Sequence, residues 1–519
     1  MELGKNHIGF TYTATGGKTF TTFNPKLNQA NDITFTEATS EEIDTAVALA
    51  TEAFNLYKNT SCKERALFIN AIADEILALD DTLVQMYCQE TGLPEGRAKG
   101  ERGRTIFQLQ SFANLLSEGS WVDATIDVAN LDRTPFPKLD LRRMDIPLGP
   151  VVVFGASNFP LAYSTAGGDT ASALAAGCPV IVKSHPMHAG TGTLVAEAIC
   201  KAAKKTGMPD GVFSNLNSSG IEVGQQLVSH PKVKAVGFTG SIRGGRALLD
   251  LAAKRPEPIP VFAEMGSINP VVMLHKELEK NTSYWAEAYA QSISLGAGQF
   301  CTQPGLILSL KGEVFTNFTN LLVSEIKKID SSCMLHPAIF EEFQSNKKIS
   351  QSQSGLEVLT DENSVESPNF APPSIVRIDG DLFLKNPILH QEVFGPYTLL
   401  VECESLAQMR TIITNLDGQL TASLIATEDE AKASFEIIEA LQNRVGRLVF
   451  NGVPTGVEVC NSMVHGGPYP ASTDSRFSAV GVHAIKRWVR PFSFQNFPDS
   501  LLPEALKEQN PLDIKQTRI

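Results

Sequence analysis

The stretch from Gly296 to Gly305, GAGQFCTQPG, places one cysteine among small, flexible residues and a single aromatic residue. Glycine lets a backbone approach a bound group closely, and a thiolate is a strong nucleophile. A cysteine in such a loop is therefore a candidate for covalent catalysis. Cysteine is also a common small core residue. The stretch makes Cys301 the first candidate nucleophile, and its spacing alone leaves a core thiol as the alternative.

Two further residues offer the groups that a cysteine nucleophile needs. Glu264, in VFAEMGSINP, ends an apolar run beside a glycine and is a candidate general base. Asn158, in FGASNFPLA, stands at a predicted strand-to-loop turn, where its amide can donate to an oxyanion. Taken singly, a glutamate is usually a surface residue and an asparagine a turn residue. Together with Cys301, they would permit attack of a thiolate on a carbonyl group.

The order and separation of these residues resemble the aldehyde dehydrogenase family. The family pattern is an asparagine, a lysine after the next strand, FTGS, EMG or ELGG, the cysteine, and ExFGP. Six segments match in that order: Asn158, Lys183, Phe238 to Ser241, Glu264 to Gly266, Cys301, and Glu392 to Pro396. The resemblance covers nearly the whole chain. It implies an α/β fold with two doubly wound α/β domains and a small bridging β-sheet for oligomerisation.

Composition limits the class of protein. With 519 residues, of which 43% are hydrophobic and 19% charged, the chain is long and apolar enough for two to four globular domains. A formal charge of −13 argues against nucleic acid or an anionic membrane as a partner. The uncharged run from Ile146 to Gly168 is long enough to span a bilayer, but prolines and glycines interrupt it. We expect a strand, a loop and a helix there, and no membrane segment.

The cysteines indicate a reducing compartment. Eight are present, without a CxxC pair or metal-ligand spacing, so we expect free thiols and no metal site. The first ten residues, MELGKNHIGF, lack the apolar core of a secretion signal. These features predict a cytoplasmic protein.

The apolar pattern predicts two layered units. Helical spacing marks residues 40–58, 62–92 and about 95–117. From 151 to 266, strands alternate with helices, one of them near 161–176, and this alternation predicts a parallel, doubly wound sheet. A dinucleotide would bind at the carboxyl ends of its strands. A second alternating set, from 269 to about 451, predicts another α/β domain with Cys301 at its front.

Taken with the resemblance, these patterns predict three parts of the chain. Residues 1–120 and 149–265 form a predicted dinucleotide-binding domain, and residues 266–475 a predicted catalytic domain. The segments 121–148 and 485–505 are predicted to be oligomerisation segments. In the resembled family, such segments build a small sheet between subunits, which implies a homodimer or homotetramer.

The resemblance assigns roles around the reaction. Cys301 would attack an aldehyde, Asn158 and the Cys301 N–H would hold the oxyanion, and Glu264 would activate water to release a carboxylic acid. Phe159 and Phe300 would line the aldehyde tunnel.

The resemblance also assigns cofactor contacts. Lys183 would bind the adenosine ribose, Glu392 would hold the nicotinamide ribose, and Phe394 would wall the nicotinamide. No GxGxxG occurs, but GSIRGG, with Gly240, Ser241 and Gly245, is glycine-rich at a predicted helix start, where a pyrophosphate can bind.

The residues after Lys183 bear on the choice between NADP and NAD. Family members strict for NAD usually place a glutamate three positions on, and here that position is Pro186. A carboxylate would repel the 2′-phosphate of NADP, so its absence removes a barrier. Lys183, with Ser184 or His185, could hydrogen-bond that phosphate. We expect both cofactors to be accepted, NADP at least as well as NAD.

The C-terminal part of the catalytic domain, NSMVHGGPYPASTDSRFSAVG, departs from the commonest family pattern. It resembles a subgroup that oxidises α-ketoglutaric semialdehyde to 2-oxoglutarate, together with a bacterial fatty-aldehyde relative. Arg102 or Arg104, in the helical stretch 95–117, could meet the substrate carboxylate. A broad-specificity or long-chain aldehyde dehydrogenase is the alternative, and a catalytically silent binding protein is a second one.

Overall fold

The computed structural model describes residues 3–360 and 367–519, so residues 1–2 and 361–366 of the predicted domains lie outside it. Each of two seven-stranded sheets packs against helices, and a four-stranded sheet lies apart from both. The α-helices are Ser40–Tyr57, Cys62–Leu77, Asp80–Thr91, Glu95–Glu118, Gly168–Ala176, Ala189–Lys205, Glu222–Ser229, Ile242–Ala253, His275–Lys280, Thr282–Ser294, Glu313–Ile326, Pro337–Gln351, Gly380–Lys385, Leu406–Asn415, Glu428–Ala433 and Phe435–Gln442.

The first large sheet is doubly wound. Its strands, in spatial order, are Val261–Glu264, Ala235–Thr239, Val151–Phe154, Val180–Lys183, Phe213–Leu216, Asn6–Ile8 and Thr11–Thr13. The first five are parallel, and the last two form an antiparallel N-terminal hairpin. The parallel strands are almost entirely buried, as continuous apolar runs require. Strand order reverses between 151–154 and 235–239, and ligands bind at the carboxyl edge beside such a reversal.

The second large sheet positions the candidate nucleophile. Its strands, in spatial order, are Glu357–Val358, Ser374–Asp379, Tyr397–Cys403, Leu306–Leu310, Pro270–Met273, Gln419–Ile425 and Val445–Phe450. All but the first run parallel. Cys301 and Glu392 precede strands of this sheet, whereas Asn158 and Glu264 end or follow strands of the first sheet. The carboxyl edge of one sheet therefore faces the amino edge of the other across the candidate site.

The four-stranded sheet joins distant parts of the chain. Its strands are Val489–Gln495, Leu141–Pro147, Ala124–Asp127 and Gln516–Arg518. The last strand lies outside the predicted segment 485–505. Two small antiparallel pairs complete the strands: Thr19–Asn24 with Gln29–Thr36, and Ser332–Cys333 with Phe370–Ala371. Within the described part of the chain, no helix is both long and apolar enough to cross a bilayer.

Two helix predictions were wrong at their boundaries. The helix predicted near 161–176 begins at Gly168, because the amides of Leu161 and Ala162 donate to the buried carboxylate of Glu101 at 2.8 and 3.0 Å. Those amides bond a side chain instead of helix carbonyls. The stretch 62–92 forms two helices, which separate at Asp80, where φ is +43°.

Candidate active site

The loop that carries Cys301 has an unusual backbone. Gly296 and Ala297 both adopt positive φ, at 56° and 55°, and alanine rarely does so. The Asn269 side chain donates to the carbonyl oxygens of Cys301 at 2.9 Å and Gln303 at 2.8 Å. A side chain from another segment, Asn269, therefore holds the strained backbone of this loop in place, as is typical of functional sites.

Gly298 brings this loop against a second segment of the site. Its φ is +65°, and a Cβ atom there would lie 2.3 Å from the carbonyl carbon and oxygen of Gly395. The glycine thus permits direct contact between the Cys301 loop and the backbone of the EVFGP segment. That contact fixes the position of Glu392 relative to Cys301.

Asn158 is held beside the nucleophile. Its Nδ2 donates to the carbonyl oxygen of Gln299 at 3.0 Å. A primary amide carries two N–H groups, so this bond leaves one for another acceptor. Asn158 and Cys301 line the same cavity of about 220 Å³. The Cys301 sulfur can therefore attack a carbonyl carbon, and the Asn158 amide can hold the resulting oxyanion.

Glu264 and Cys301 are connected through a histidine. Both carboxylate oxygens of Glu264 lie 2.7 Å from Nδ1 of His465, and Nε2 of His465 lies 3.3 Å from Sγ of Cys301. Glu264 is 5% exposed and His465 is 3% exposed. A buried chain of hydrogen-bonded groups thus runs from the carboxylate to the sulfur.

The charge state of His465 follows from this contact. Burial by itself lowers the pKa of an imidazole, but the Glu264 carboxylate opposes that effect, and Tyr163 and Cys301 add to the opposition. The net result raises the pKa of His465 well above its ordinary value. The contacts with Glu264 and Cys301 therefore favour the charged form of His465.

The 220 Å³ cavity also brings together residues that were predicted to contact the pyrophosphate and the nicotinamide. Gly240, Ser241, Glu392 and Phe394 all line it. Burial raises the pKa of Glu392 to about 7. A Cβ atom on Gly266 would lie 2.5 Å from Oε2 of Glu392, so this glycine makes room for the carboxylate.

A helix start lies at the edge of the same cavity. Ser241 caps the helix Ile242–Ala253, and its Oγ accepts a hydrogen bond from the Gly244 N–H at 3.1 Å. The free amides and dipole of a helix N-terminus favour an anion. Gly245 has a different role: a Cβ atom there would lie 2.5 Å from Sδ of Met265, so it permits close packing of helix on strand.

A second cavity, of about 480 Å³, lies beside Lys183 and is lined largely by apolar residues, including Phe154 and Phe238. The Lys183 ammonium donates to the Ser218 carbonyl oxygen at 3.1 Å. Burial lowers the pKa of Lys183 to about 8, although nearby Glu37 opposes the shift. An apolar slot with a cation at its edge, next to a glycine-rich helix start, fits an adenine nucleotide.

The neighbours of Lys183 are placed differently. Ser184 is buried, and Nδ1 of His185 accepts a hydrogen bond from the Met187 N–H at 3.3 Å. Among the described residues that line the Lys183 cavity, neither of the two occurs. Their contact with a cofactor stays a prediction.

A third cavity, of about 570 Å³, opens on the other side of Cys301. Phe159, Phe300 and Arg104, the residues predicted for the substrate side, all line it. The Arg104 guanidinium donates to the Val457 carbonyl oxygen at 2.8 Å and to the Tyr163 hydroxyl at 3.1 Å. Cys301 lines both this cavity and the 220 Å³ cavity, so its sulfur lies where the two meet.

This arrangement agrees with the comparisons with known proteins. The family model described as aldehyde dehydrogenase family matches residues 12–488. The chain belongs to the aldehyde dehydrogenase family. The resemblance inferred from the six motifs is thereby confirmed, and the protein is an enzyme of that family.

Two bacterial relatives match this aldehyde dehydrogenase over its full length. It is 45% identical to alpha-ketoglutaric semialdehyde dehydrogenase 2 of Azospirillum brasilense, covering 100% of this chain and 99% of the relative. It is 42% identical to alpha-ketoglutaric semialdehyde dehydrogenase of Acinetobacter baylyi, covering 98% and 97%.

Solved structures confirm the predicted fold class. Betaine aldehyde dehydrogenase from Staphylococcus aureus, in complex with NAD+, superposes with a TM-score of 0.82 at 19% identity and covers 96% of this chain and 98% of its own. A 1-pyrroline-5-carboxylate dehydrogenase from Thermus thermophilus gives 0.81 at 19% identity, with coverage of 95% and 93%. The aldehyde dehydrogenase fold is therefore shown.

Sequence reasoning missed two residues of this aldehyde dehydrogenase site. His465 lies in the NSMVHGGPYPAS segment, which departs from the commonest family pattern, but nothing local places it beside Cys301, 164 residues away. Arg447 lines the 570 Å³ cavity from the strand Val445–Phe450. An arginine in an amphipathic strand gives no signal that separates a binding role from a solvated one.

Arg102 and Arg104 have different surroundings. Arg102 donates to the backbone carbonyl oxygen of Asp80 at 3.0 Å, on the exposed side of its helix. Two residues along an α-helix correspond to a rotation of about 200°, so neighbours at this spacing face opposite sides. Of the two candidate arginines, Arg104 is the one that reaches the cavity.

Proposed function

We propose that this aldehyde dehydrogenase oxidises α-ketoglutaric semialdehyde to 2-oxoglutarate through a thioester on Cys301. Two full-length relatives that carry that name support the substrate. The structural observation that carries the proposal is a pair of arginines, Arg104 and Arg447, in the cavity that ends at Cys301.

The two arginines can bind the charged end of the substrate. Neither forms an ion pair within residues 3–360 and 367–519. Arg447 donates to the carbonyl oxygens of Gly456 at 3.0 Å and Pro454 at 2.7 Å, and more weakly to Thr421 Oγ1 at 3.4 Å. A guanidinium has five N–H groups and stays protonated, so both arginines keep donors for a carboxylate.

The residues of the chain supply the steps at the aldehyde carbon. The Cys301 thiolate attacks the carbonyl carbon, and the free N–H of the Asn158 amide stabilises the oxyanion. A nicotinamide cofactor, when bound, would supply the hydride acceptor, and loss of hydride would leave a thioester on the Cys301 sulfur. Glu264 is the carboxylate that supports removal of a proton from the hydrolytic water. The product is a carboxylic acid.

For the cofactor, we infer that NADP is accepted at least as well as NAD. Lys183 and Glu392 would hold the two riboses, and the amides at Gly240 and Ser241 would meet the pyrophosphate. Pro186 leaves no carboxylate at the position that would repel a 2′-phosphate. The expected outcome is a KM for NADP no larger than that for NAD at similar kcat, and a KM for NADP far above it would contradict the inference.

The assembly and domain boundaries are also part of the proposal. We infer a cytoplasmic homodimer or homotetramer, in which residues 121–148 and 485–505 contribute to the subunit interface beside the domains at 1–120 with 149–265 and at 266–475. Exposed apolar side chains on and next to the four-stranded sheet support this: Leu141, Phe492 and Phe497. A sedimentation velocity run that gave a monomer would contradict it.

The substrate proposal is tested by comparing kcat/KM for α-ketoglutaric, succinic and glutaric semialdehydes and for hexanal. Arg104→Met and Arg447→Met should each lower kcat/KM for the charged substrates by about 10- to 100-fold, since a hydrogen bond to a charged group contributes about 1.5–3 kcal/mol. Hexanal should change by less than about threefold.

Arg102→Met is the matched control, because it removes an arginine from the same helix on the face away from the cavity. It should leave all four values unchanged. A preference of the unmodified enzyme for hexanal, or an equal loss for hexanal and the semialdehydes in the arginine variants, would overturn the proposal.

A further inference from the structure

We propose that His465 is the catalytic base of this enzyme, and that Glu264 acts through it. In this proposal, which rests on the thioester chemistry of the proposed function, Nε2 of His465 takes the thiol proton of Cys301 and later a proton from water. The expected base, Glu264, is then a positioning residue for the imidazole.

The contacts of His465 support an arrangement in which the imidazole lies between the Cys301 sulfur and the Glu264 carboxylate. Nε2 of His465 faces the reacting sulfur at 3.3 Å, and Nδ1 faces the carboxylate at 2.7 Å. Both oxygens of Glu264 are directed to the histidine, and the carboxylate is 5% exposed. Glu264 lines the same cavity as Cys301, but its carboxylate contacts the histidine, whereas Nε2 of the imidazole already contacts the sulfur.

The fold holds the histidine in this position. The His465 N–H donates to Ser478 Oγ at 3.1 Å, and the His465 carbonyl oxygen accepts from the Ala479 N–H at 2.9 Å. A Cβ atom on Gly467 would lie 2.2 Å from the Gln419 carbonyl oxygen, so this glycine packs directly against the strand Gln419–Ile425. A fixed backbone keeps the ring between carboxylate and sulfur.

The charged and titratable groups around the ring favour a thiolate–imidazolium pair. Glu264 and Cys301 contact the ring directly, and the Tyr163 ring lies 5.9 Å from it between centroids. Behind them, Arg104 donates to the Tyr163 hydroxyl, and Arg447 lines the same cavity as Cys301. The Glu264 carboxylate stabilises the imidazolium, whose Nε2 lies 3.3 Å from the Cys301 sulfur.

The protons and electrons balance over one cycle. The Cys301 proton moves to Nε2, and the thiolate forms the S–C bond to the aldehyde carbon. The C–H bond then breaks with transfer of hydride to the oxidised nicotinamide, which leaves a thioester. Acylation of the sulfur removes the Cys301 contribution that helped to raise the pKa of His465, and the imidazolium then releases its proton to solvent. Neutral Nε2 next removes a proton from water, a C–O bond forms and the C–S bond breaks. The carboxylic acid releases the second proton, and the thiolate and imidazolium are restored.

The first test measures alkylation of the cofactor-free enzyme by iodoacetamide between pH 5.5 and 9, with Cys301 followed by peptide mass spectrometry. We expect its rate in the unmodified enzyme to stay nearly constant down to pH 6. An unassisted thiol ionises near pH 8.5, so in His465→Gln the rate should fall about tenfold per pH unit below pH 8. At pH 6.5 the variant should react at least about tenfold more slowly.

Two more variants sharpen this test. Glu264→Gln should give an intermediate profile, because the imidazolium loses its carboxylate. His275→Gln is the matched control, since His275 is an exposed helix residue near Glu279 and is not among the residues that line the two cavities at Cys301, and it should behave as the unmodified enzyme. Equal profiles for His465→Gln and the unmodified enzyme would overturn the proposal. Since alkylation needs no aldehyde, this result is independent of the proposed substrate.

The second test separates base catalysis from a structural role. At pH 9, where an unassisted thiol ionises, His465→Gln should form a stoichiometric burst of reduced cofactor with any aldehyde that the enzyme accepts. Turnover after the burst should then be slower by about 100-fold or more, because no base activates water. His465→Asn, with unchanged cofactor affinity as the check on folding, should do the same. Steady-state turnover equal to that of the unmodified enzyme would refute the role.

Discussion

Replacing Asn158 with alanine tests the stabilisation of the oxyanion. In the structure the Asn158 amide uses one N–H on the Gln299 carbonyl oxygen at 3.0 Å and keeps one for the substrate. The variant removes both. Two separate effects are therefore expected, one on the chemical step and one on the stability of the loop.

The two effects differ in size. Loss of one preorganised oxyanion donor costs about 2.7–4 kcal/mol in the transition state, which corresponds to a fall in kcat/KM of about 100- to 1000-fold. Loss of the bond to Gln299 costs about 1 kcal/mol of stability. Asn158→Asp keeps the size of the side chain but replaces the donor with a negative charge, so its loss of activity should be at least as large.

Alkylation of Cys301 by iodoacetamide separates these effects, because that reaction forms no oxyanion. In Asn158→Ala the alkylation rate should stay within about threefold of the unmodified enzyme while kcat/KM falls. A fall of less than tenfold in kcat/KM would refute the reasoning. A parallel fall in alkylation would show that Asn158 acts by positioning the loop.

Three further predictions concern residues around the sulfur. Cys301→Ala should abolish aldehyde oxidation with an unchanged dissociation constant for the cofactor, and continued formation of reduced cofactor would contradict the nucleophile. Gly298→Ala should cost about 2–4 kcal/mol, since its Cβ would meet the Gly395 carbonyl group and φ is +65°. In thermal unfolding it should lower the midpoint more than Gly207→Ala, a control with φ of +71° and no atom within 4 Å of the added Cβ. Burial raises the pKa of Glu392 to about 7, so its carboxylate form rises from about a tenth at pH 6 to about nine-tenths at pH 8. Cofactor affinity measured by fluorescence titration should rise about ninefold over that range, and Glu392→Gln should remove the dependence.

Much of the fold and part of the site followed from local pattern. Alternating apolar runs and helical segments predicted two doubly wound units, because parallel strands buried on both faces read as continuous apolar stretches. The order of the family motifs assigned Asn158, Glu264 and Cys301 to one site, and Asn158 and Glu264 lie at or just after strand ends of one sheet, where such residues converge. Glycine positions such as Gly266 and Gly298 also agree with close approaches that a sequence pattern can suggest.

The ends of helices and strands were harder to predict from the sequence. Residues 161–167 have helical composition but do not form a helix, because a buried carboxylate from Glu101, some 60 residues away, takes their amides. Helix propensity describes only the competition between local backbone conformations. A hydrogen-bond acceptor from a distant part of the chain can change which conformation is favoured. The same limit applies to the strand Gln516–Arg518. It pairs with the strand Ala124–Asp127, and no local sequence pattern predicts that pairing.

The sequence by itself determined the residue types, their order and the family, and it predicted the nucleophile and the oxyanion donor. Only the tertiary structure placed His465 between Glu264, 201 residues away, and Cys301, 164 residues away. The tertiary structure also showed that Arg104, and not Arg102, lines the 570 Å³ cavity, and that Arg447 lines it too. These contacts join different sheets and loops, so their geometry depends on how the two domains pack, and no periodicity within a single element encodes it.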